Sequence, residues 1–314
     1  MLVSVYLTRK CSLRCKSCMI WKTHRRELPP KEWAEIFRRL YDSLGWHISM
    51  IGGEPLEYWR PFEGLLELVR MLKGVNYSIT SNSLTLTWDR AKKLVEAGLM
   101  NWTVSINYPR ALARMYAAKD PRVYAGWRAL EWFKRLGVND LHATVTLYPD
   151  NVQYFPHIVR DLMEMEVWIE PTFVMWAKAP WYDSFPASCK PVWKPEHVKY
   201  IQEALKMLKK YKYFHGLPEM FEGKGLEEML NASVRCGGKM HVLMVDEDGY
   251  VRLCRDIPGR RVRRWKATDF IDREEDLLND WRQDYEEFCR GCNWDCVWQS
   301  MHGFKRFIHT EVRR

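Results

Sequence analysis

The sequence predicts an α/β fold, a partial (β/α)6 TIM-like barrel with a small cysteine-rich C-terminal domain. Three observations carry this. Short apolar, β-rich runs alternate with amphipathic helical patterns six times between residues 2 and 175. Such alternation implies right-handed crossovers and a parallel sheet. Six units suit a partial barrel better than a closed eight-stranded one, and a flavodoxin-like open sheet is the alternative.

The elements follow in order. "LVSVYL" (2–7) is the first strand, followed by a cysteine-bearing loop and a helix near 30–44 with Trp33, Ile36, Phe37 and Leu40 on one face. "WHISMI" (46–51) is the second strand and 61–73 the second helix, with Phe62, Leu65, Leu66, Val69 and Leu72 turned inward. "NYSIT" (76–80) precedes a helix from 88 that stops at Gly98, a C-terminal cap. "NWTVSI" (101–106) leads to a helix ending before Gly137. "HATVTL" (142–147), a helix over 152–165 and "VWIEPTFVM" (167–175) complete the array. Function in parallel architectures gathers at the carboxyl ends of the strands. The cysteine loop, "GGEP" (52–55), "SNS" (81–83), and Ser105 with Asn107 all map to that one rim.

Beyond residue 176 the texture changes. A Pro- and aromatic-rich connector and a helix over 195–212 span residues 181–230, between a barrel over 1–180 and a cysteine-rich unit over 231–314. In that unit "MHVLMVDEDGYVRLC" reads as a β-hairpin turning at "DEDG". The 314 residues, 47% hydrophobic, suffice for a substantial core. No run is long enough to span a bilayer, and the N-terminus lacks the pattern of a signal peptide, so no membrane partner and a cytoplasmic location are expected. The net charge of +9 favours anionic partners. Its densest run, "RRVRRWK" (260–266), is read as a solvated loop ahead of a phosphate-contacting patch.

Nine cysteines, an odd number in two clusters, point to metal or redox chemistry rather than a disulfide framework. Cys11, Cys15 and Cys18 form C-x3-C-x2-C within "CSLRCKSC". A structural zinc site would need a distant fourth ligand such as His24. A redox triple of thiols gives no reason for the spacing. An iron–sulfur cubane held at three of its four irons fits best, because the fourth iron stays open at the barrel mouth.

Here the chain resembles the radical S-adenosylmethionine (SAM) enzymes, over roughly residues 1–180, through "CSLRCKSC" after the first strand and "GGEP" after the second. The resemblance implies a [4Fe–4S] cluster whose open iron chelates SAM. One-electron reduction would then yield methionine and a 5′-deoxyadenosyl radical that removes a substrate hydrogen atom. It implies that Gly52, Gly53 and Glu54, in the turn closed by Pro55, hold the methionine amino group, partly through backbone carbonyls. Ser81, Asn82, Ser105 and Asn107 become candidate SAM contacts. The residue before the third cysteine is commonly aromatic in this family. Here it is Ser17, whose backbone can meet the adenine edge, while a stacking partner must come from elsewhere, with Trp21 a candidate.

Cys236 and Cys254 frame C-x12-G-x4-C, and Cys289, Cys292 and Cys296 form C-x2-C-x3-C behind a "DLLNDW" helix. Alone, these suggest a zinc ribbon. Behind a radical SAM barrel they resemble the SPASM extension and its shortened form, twitch. Five cysteines then imply one auxiliary [4Fe–4S] cluster on Cys236, Cys254 and two of the last three, with Cys289 and Cys292 favoured and Cys296 the alternative. Cys189 is read as a buried small hydrophobe. The family implies a flavodoxin- or ferredoxin-type electron donor. A peptide or protein substrate, with a separate recognition protein, is placed ahead of a small molecule, nucleotide or nucleic acid. A non-catalytic RNA-binding module using 260–266 is the alternative of a different class.

Overall fold

The computed structural model describes residues 2–15, 18–23, 25–174, 191–215, 218–231, 242–253 and 260–288. Cys189, Cys236, Cys254, Cys289, Cys292, Cys296, Ser17 and His24 lie outside them. The first six strands are β1 (Leu2–Thr8), β2 (His47–Gly52), β3 (Tyr77–Ser81), β4 (Asn101–Ser105), β5 (Asp140–Leu147) and β6 (Trp168–Phe173). They stand side by side in chain order, each parallel to the next. The sheet is open and forms the expected partial barrel.

Helices cover its outer face: α1 (Pro30–Leu44), α2 (Glu63–Met71), α3 (Trp88–Glu96), α4 (Arg110–Tyr116), α5 (Ala125–Arg135) and α6 (Phe155–Glu164). α1 begins with Pro30 at its first position and ends on Gly45 at φ 62°. Trp33, Phe37 and Leu40 of α1 and Val3, Val5 and Leu7 of β1 belong to one continuous core. Thr87 caps α3, accepting from the Arg90 amide, and Gly98 turns the chain at φ 103° just past its end. The helix expected before Gly137 is preceded by a second. Pro121, whose ring cannot donate a backbone hydrogen bond, follows Asp120, and that break separates α4 from α5.

The other face of the sheet is polar. β5 alternates half-buried Asp140, His142, Thr144 and Thr146 with buried Leu141, Ala143, Val145 and Leu147. A period of two on a strand puts each set on one face. Ser49, Ser78, Thr80, Thr103 and Glu170 continue the polar face across neighbouring strands. A parallel sheet buried on both sides reads as continuous apolar runs. This one instead presents hydrogen-bonding groups to its concave side.

Past β6 come α7 (Pro195–Leu208), α8 (Gly223–Leu230), β7 (Val242–Val245), β8 (Val251–Arg252) and α9 (Glu274–Phe288). α7 ends four residues earlier than its apolar pattern suggests, because residues 213–215 turn back along β6. The Ile169 amide donates to the Tyr213 carbonyl and the His215 amide to the Ile169 carbonyl, both at 2.9 Å. The hairpin forms at the expected turn, and it extends the main sheet. β7 pairs in parallel with β1, from Leu2 against Val242 to Val5 against Val245, and β8 pairs antiparallel with β7. No helix among the described residues is long and apolar enough to cross a membrane.

Candidate functional site at the strand carboxyl ends

The first three strands end at one place, and the backbone explains why glycine is required there. The Gly53 amide donates to the Thr8 carbonyl and the Glu54 amide to the Lys10 carbonyl, each at 2.7 Å. The turn after β2 therefore lies directly on the three residues that lead into Cys11. A Cβ on Gly53 would fall 2.0 Å from the Lys10 carbonyl oxygen, and one on Gly52 (φ 126°) 2.5 Å from that of Thr8. Pro55 then begins a short 3-10 turn.

Glu54 ties this turn to the end of β3. Its Oε1 accepts from the Ser81 hydroxyl at 2.6 Å and the Leu56 amide at 3.1 Å, and its Oε2 accepts from the Asn82 amide at 2.8 Å. Burial pushes the Glu54 carboxyl up to about 7, against the pull of those three hydrogen bonds. The Ser81 hydroxyl also accepts from the Ser83 amide, and Ser83 adopts φ 58°. Asn82 can then turn its side-chain amide to the Cys11 sulfur, 3.8 Å away.

The cysteine loop is pinned at both ends. The Cys18 amide donates to the Cys15 carbonyl at 3.1 Å, and the Trp21 indole donates to the Cys18 carbonyl at 2.9 Å. Arg14 covers the face of Trp21 at 4.4 Å. Ser12 is held through its amide and hydroxyl by the Glu57 carboxylate. Burial raises the Cys11 thiol to about 12 and pushes Cys15 in the same direction. A bound metal would relieve that cost, since it stabilises the thiolate. Among the described residues, one trio of metal-ligating side chains has its donor atoms within 4.8 Å of each other, and it is not the cysteines. A single tetrahedral zinc would draw its sulfurs to roughly 3.8 Å apart.

Ser105 and Asn107 end β4 farther along the same rim. Ser105 is exposed, and the Asn107 carbonyl accepts from the Asn151 side chain at 3.4 Å. Arg122, beyond them in the chain, lies within electrostatic reach of Cys15, and its charge favours the thiolate. The structure thus brings Cys11, Cys15, Cys18, Gly52, Gly53, Glu54, Ser81 and Asn82 together, with Ser105 and Asn107 on the adjoining stretch of rim.

Two clusters escaped sequence reasoning. A buried ion network joins the β1 exit to the hairpin. Arg9 reaches Asp246 and Glu247 at 2.9 Å each, and Arg252, Arg263 and Arg25 also face Asp246. At the opposite, amino-terminal end of the barrel lumen, Glu170 meets His142 and His215. Burial works against the His142 imidazolium, but its bonds to Asp140 and Glu170 win and raise it to about 9. Paired polar positions at the starts of strands were the only trace of this in the sequence. The basic run 260–266 also changes character. Arg261 bonds Asp284 and Glu287, Arg263 bonds Asp248, and Arg264 bonds Asp280. These arginines brace α9 and the hairpin, which removes the main support for a phosphate-contacting patch.

Fold and site define a parallel partial barrel carrying a three-cysteine loop and a glycine turn on its carboxyl rim. Residues 5–162 match the Radical SAM superfamily model, and the chain belongs to that superfamily of enzymes. It is 26% identical over 166 residues to the AdoMet-dependent heme synthase of Oleidesulfovibrio alaskensis, covering 51% of this chain and 41% of that protein. It is 32% identical over 111 residues to the GTP 3′,8-cyclase of Aquifex aeolicus, covering 33% and 34%. The chain thus spans less than half the length of these relatives. Streptococcus suis SuiB bound to S-adenosylmethionine superposes with a TM-score of 0.60 at 15% identity, over 96% of this chain and 67% of that one. The anSMEcpe structure with bound AdoMet and Kp18Cys peptide also gives 0.60, at 17% identity over 92% and 82%. At such identities the superpositions establish the fold.

Proposed function

We propose that this protein cleaves SAM reductively and removes a hydrogen atom from a peptide or protein substrate. The observation that carries the reading is the docking of the glycine turn and Asn82 onto the Cys11 loop at one rim. Cys11, Cys15 and Cys18 would hold a [4Fe–4S] cluster with one open iron. When bound, that cluster supplies the electron that breaks SAM into methionine and the 5′-deoxyadenosyl radical. The Gly52 and Gly53 carbonyls accept from the N–H groups of the SAM amine, beside Glu54. Ser81, Asn82, Ser105 and Asn107 provide polar groups for the rest of SAM, and the Ser17 backbone meets the adenine edge.

The polar concave face suits a substrate rich in hydrogen-bonding groups. A peptide is favoured because SuiB has been solved with its precursor peptide SuiA on the same fold. The GTP 3′,8-cyclase relative supports a second reading, a nucleotide or other small molecule. In the proposed arrangement Cys236, Cys254, Cys289, Cys292 and Cys296 supply the ligands of an auxiliary [4Fe–4S] cluster within 231–314. A flavodoxin- or ferredoxin-type donor delivers the electron in the cytoplasm, and a separate protein presents a peptide substrate.

Anaerobically reconstituted protein with about eight irons, two cubanes' worth, should produce 5′-deoxyadenosine from SAM and dithionite. None at that iron content would sink the proposal. Deuterium passing from a labelled peptide into 5′-deoxyadenosine would establish the substrate class, and deuterium arriving only from nucleotides would establish the second reading.

SAM affinity should depend on pH through Glu54. Its carboxyl, raised to about 7 in the ligand-free protein, holds a proton below that pH and must release it to accept from the N–H groups of the SAM amine. Affinity should rise about tenfold per unit below pH 7 and level off above it. The Glu54→Gln protein should show a shallower profile over the same range in equilibrium dialysis, keeping only the slope from the SAM amino group's own titration. The same slope in both proteins would remove Glu54 from the amine site.

A further inference from the structure

We propose that His142, Glu170 and His215 form a binding site for a divalent transition-metal ion at the amino-terminal end of the barrel lumen. The site is separate from the cysteine rim and does not rest on the SAM reading. His142 and Glu170 are the third residues of β5 and β6, and Thr144, two residues past His142, is the register partner of Glu170. Both side chains belong to the half-buried polar face. His215 arrives from the segment that turns back along β6 and pairs with Ile169. Three separate stretches of chain thus deliver one donor each, with all donor atoms within 4.8 Å of one another.

Both ring nitrogens converge on one carboxylate oxygen. His142 Nδ1 lies 2.7 Å and His215 Nδ1 2.8 Å from the same carboxylate oxygen, Glu170 Oε1. An ion inserted among them would need the donors to part by roughly half an ångström, given metal–ligand lengths of about 2.0–2.1 Å in a tetrahedron. The outer groups match as well. His142 turns its other nitrogen, Nε2, to Asp140 Oδ1 at 2.9 Å, and Asp140 Oδ2 accepts from the Asn101 amide at 2.7 Å. A carboxylate on the far side of a histidine ring fixes its tautomer and makes the near nitrogen a better donor to metal. Trp168 stacks on His142 with ring centroids 5.8 Å apart at 17°, which fixes the plane of the ring. The Thr144 hydroxyl donates to Glu170 Oε2 at 3.4 Å. Two imidazoles and one carboxylate suit zinc or iron(II), and three protein ligands leave a coordination position open.

The test is zinc binding by anaerobically reconstituted, desalted protein, with zinc, iron and sulfide measured together. One tightly held zinc per chain is expected beyond the cluster iron. Its K-edge absorption should show nitrogen and oxygen neighbours at about 2.0–2.1 Å and no sulfur at about 2.3 Å. Glu170→Gln and His215→Ala should each lose this zinc and keep their iron and sulfide. Asp140→Asn, which spares every ligand, should weaken zinc by about 10–100-fold. If the first two variants do not fold, the wild-type spectrum and Asp140→Asn decide. No extra zinc in the wild type, sulfur ligation, or zinc binding unmoved by Asp140→Asn overturns the proposal.

Discussion

Gly53→Ala should reduce SAM cleavage at least about 100-fold, approaching the complete loss expected of Cys15→Ala. The methyl group would stand 2.0 Å from the Lys10 carbonyl oxygen and 2.7 Å from its carbon. Both are backbone atoms, so no rotamer change relieves the clash. The turn must lift off residues 8–10, breaking the 2.7 Å bonds from Gly53 to Thr8 and from Glu54 to Lys10. Those bonds set the distance between the glycine carbonyls and Cys11. A displacement of about 1 Å at a reacting centre costs on the order of a hundredfold. The two variants should differ in iron. Cys15→Ala removes a cluster ligand and should lose iron from the first cluster, whereas Gly53→Ala keeps all three thiols and should retain it after reconstitution. Measuring 5′-deoxyadenosine formation and iron content on both proteins checks this. Near wild-type activity in Gly53→Ala would show that the turn does not set the geometry of the SAM site.

The strand order, the helices and the rim were legible in the sequence because each rests on local signals. Period-two runs, helical stripes and glycine stops need no knowledge of distant contacts, and "GGEP" and "SNS" each follow a strand directly. The polar lumen was harder to see. The serines, threonines and His142 of β3 and β5 are spaced as any half-exposed strand would space them, and only the curvature of the open sheet turns that face inward. Glu170 was hidden for the same reason, since its depth depends on the register of β6 against β5. The arginines of 260–266 gave the opposite difficulty. Their density suggests a solvated surface, yet their partners Asp246, Asp248, Asp280 and Asp284 come from the hairpin and from α9. Ion pairs across such separations leave no periodic trace.

Asp246→Ala should destabilise the protein by about 3–5 kcal/mol, the cost of breaking a buried ion pair by removing one partner. Asp246 is fully buried, and Arg9 and Arg252 retain 3% and 1% exposure, so water cannot replace the lost carboxylate. Arg9 Nη2 meets Asp246 Oδ1 at 2.9 Å, Arg252 Nε lies 3.4 Å from the same oxygen, and Arg263 Nη1 lies 3.3 Å from Oδ2. Glu247 shares Arg9, but burial pushes its own carboxyl up, which weakens it as a substitute. Against a typical total stability of about 5–15 kcal/mol, the loss is a large fraction. Its effects should reach the cysteine loop. Arg9 stands two residues before Cys11, and its Nη1 donates to the Thr23 hydroxyl at 2.8 Å, so one guanidinium clamps both ends of the loop to the hairpin turn. The Leu28 amide, donating to the Glu247 carbonyl at 2.9 Å, adds a backbone tie at the same place. Denaturant unfolding of the reconstituted protein should show a lower midpoint, and iron should be lost from the variant before global unfolding. Arg252→Met combined with Asp246→Ala should recover part of the loss, because it removes a buried cation that faced the lost carboxylate and leaves the Arg9–Glu247 pair in place. A penalty under about 1 kcal/mol, of the size seen for exposed pairs, would mean that the network is solvated and the hairpin is held by β1–β7 pairing alone.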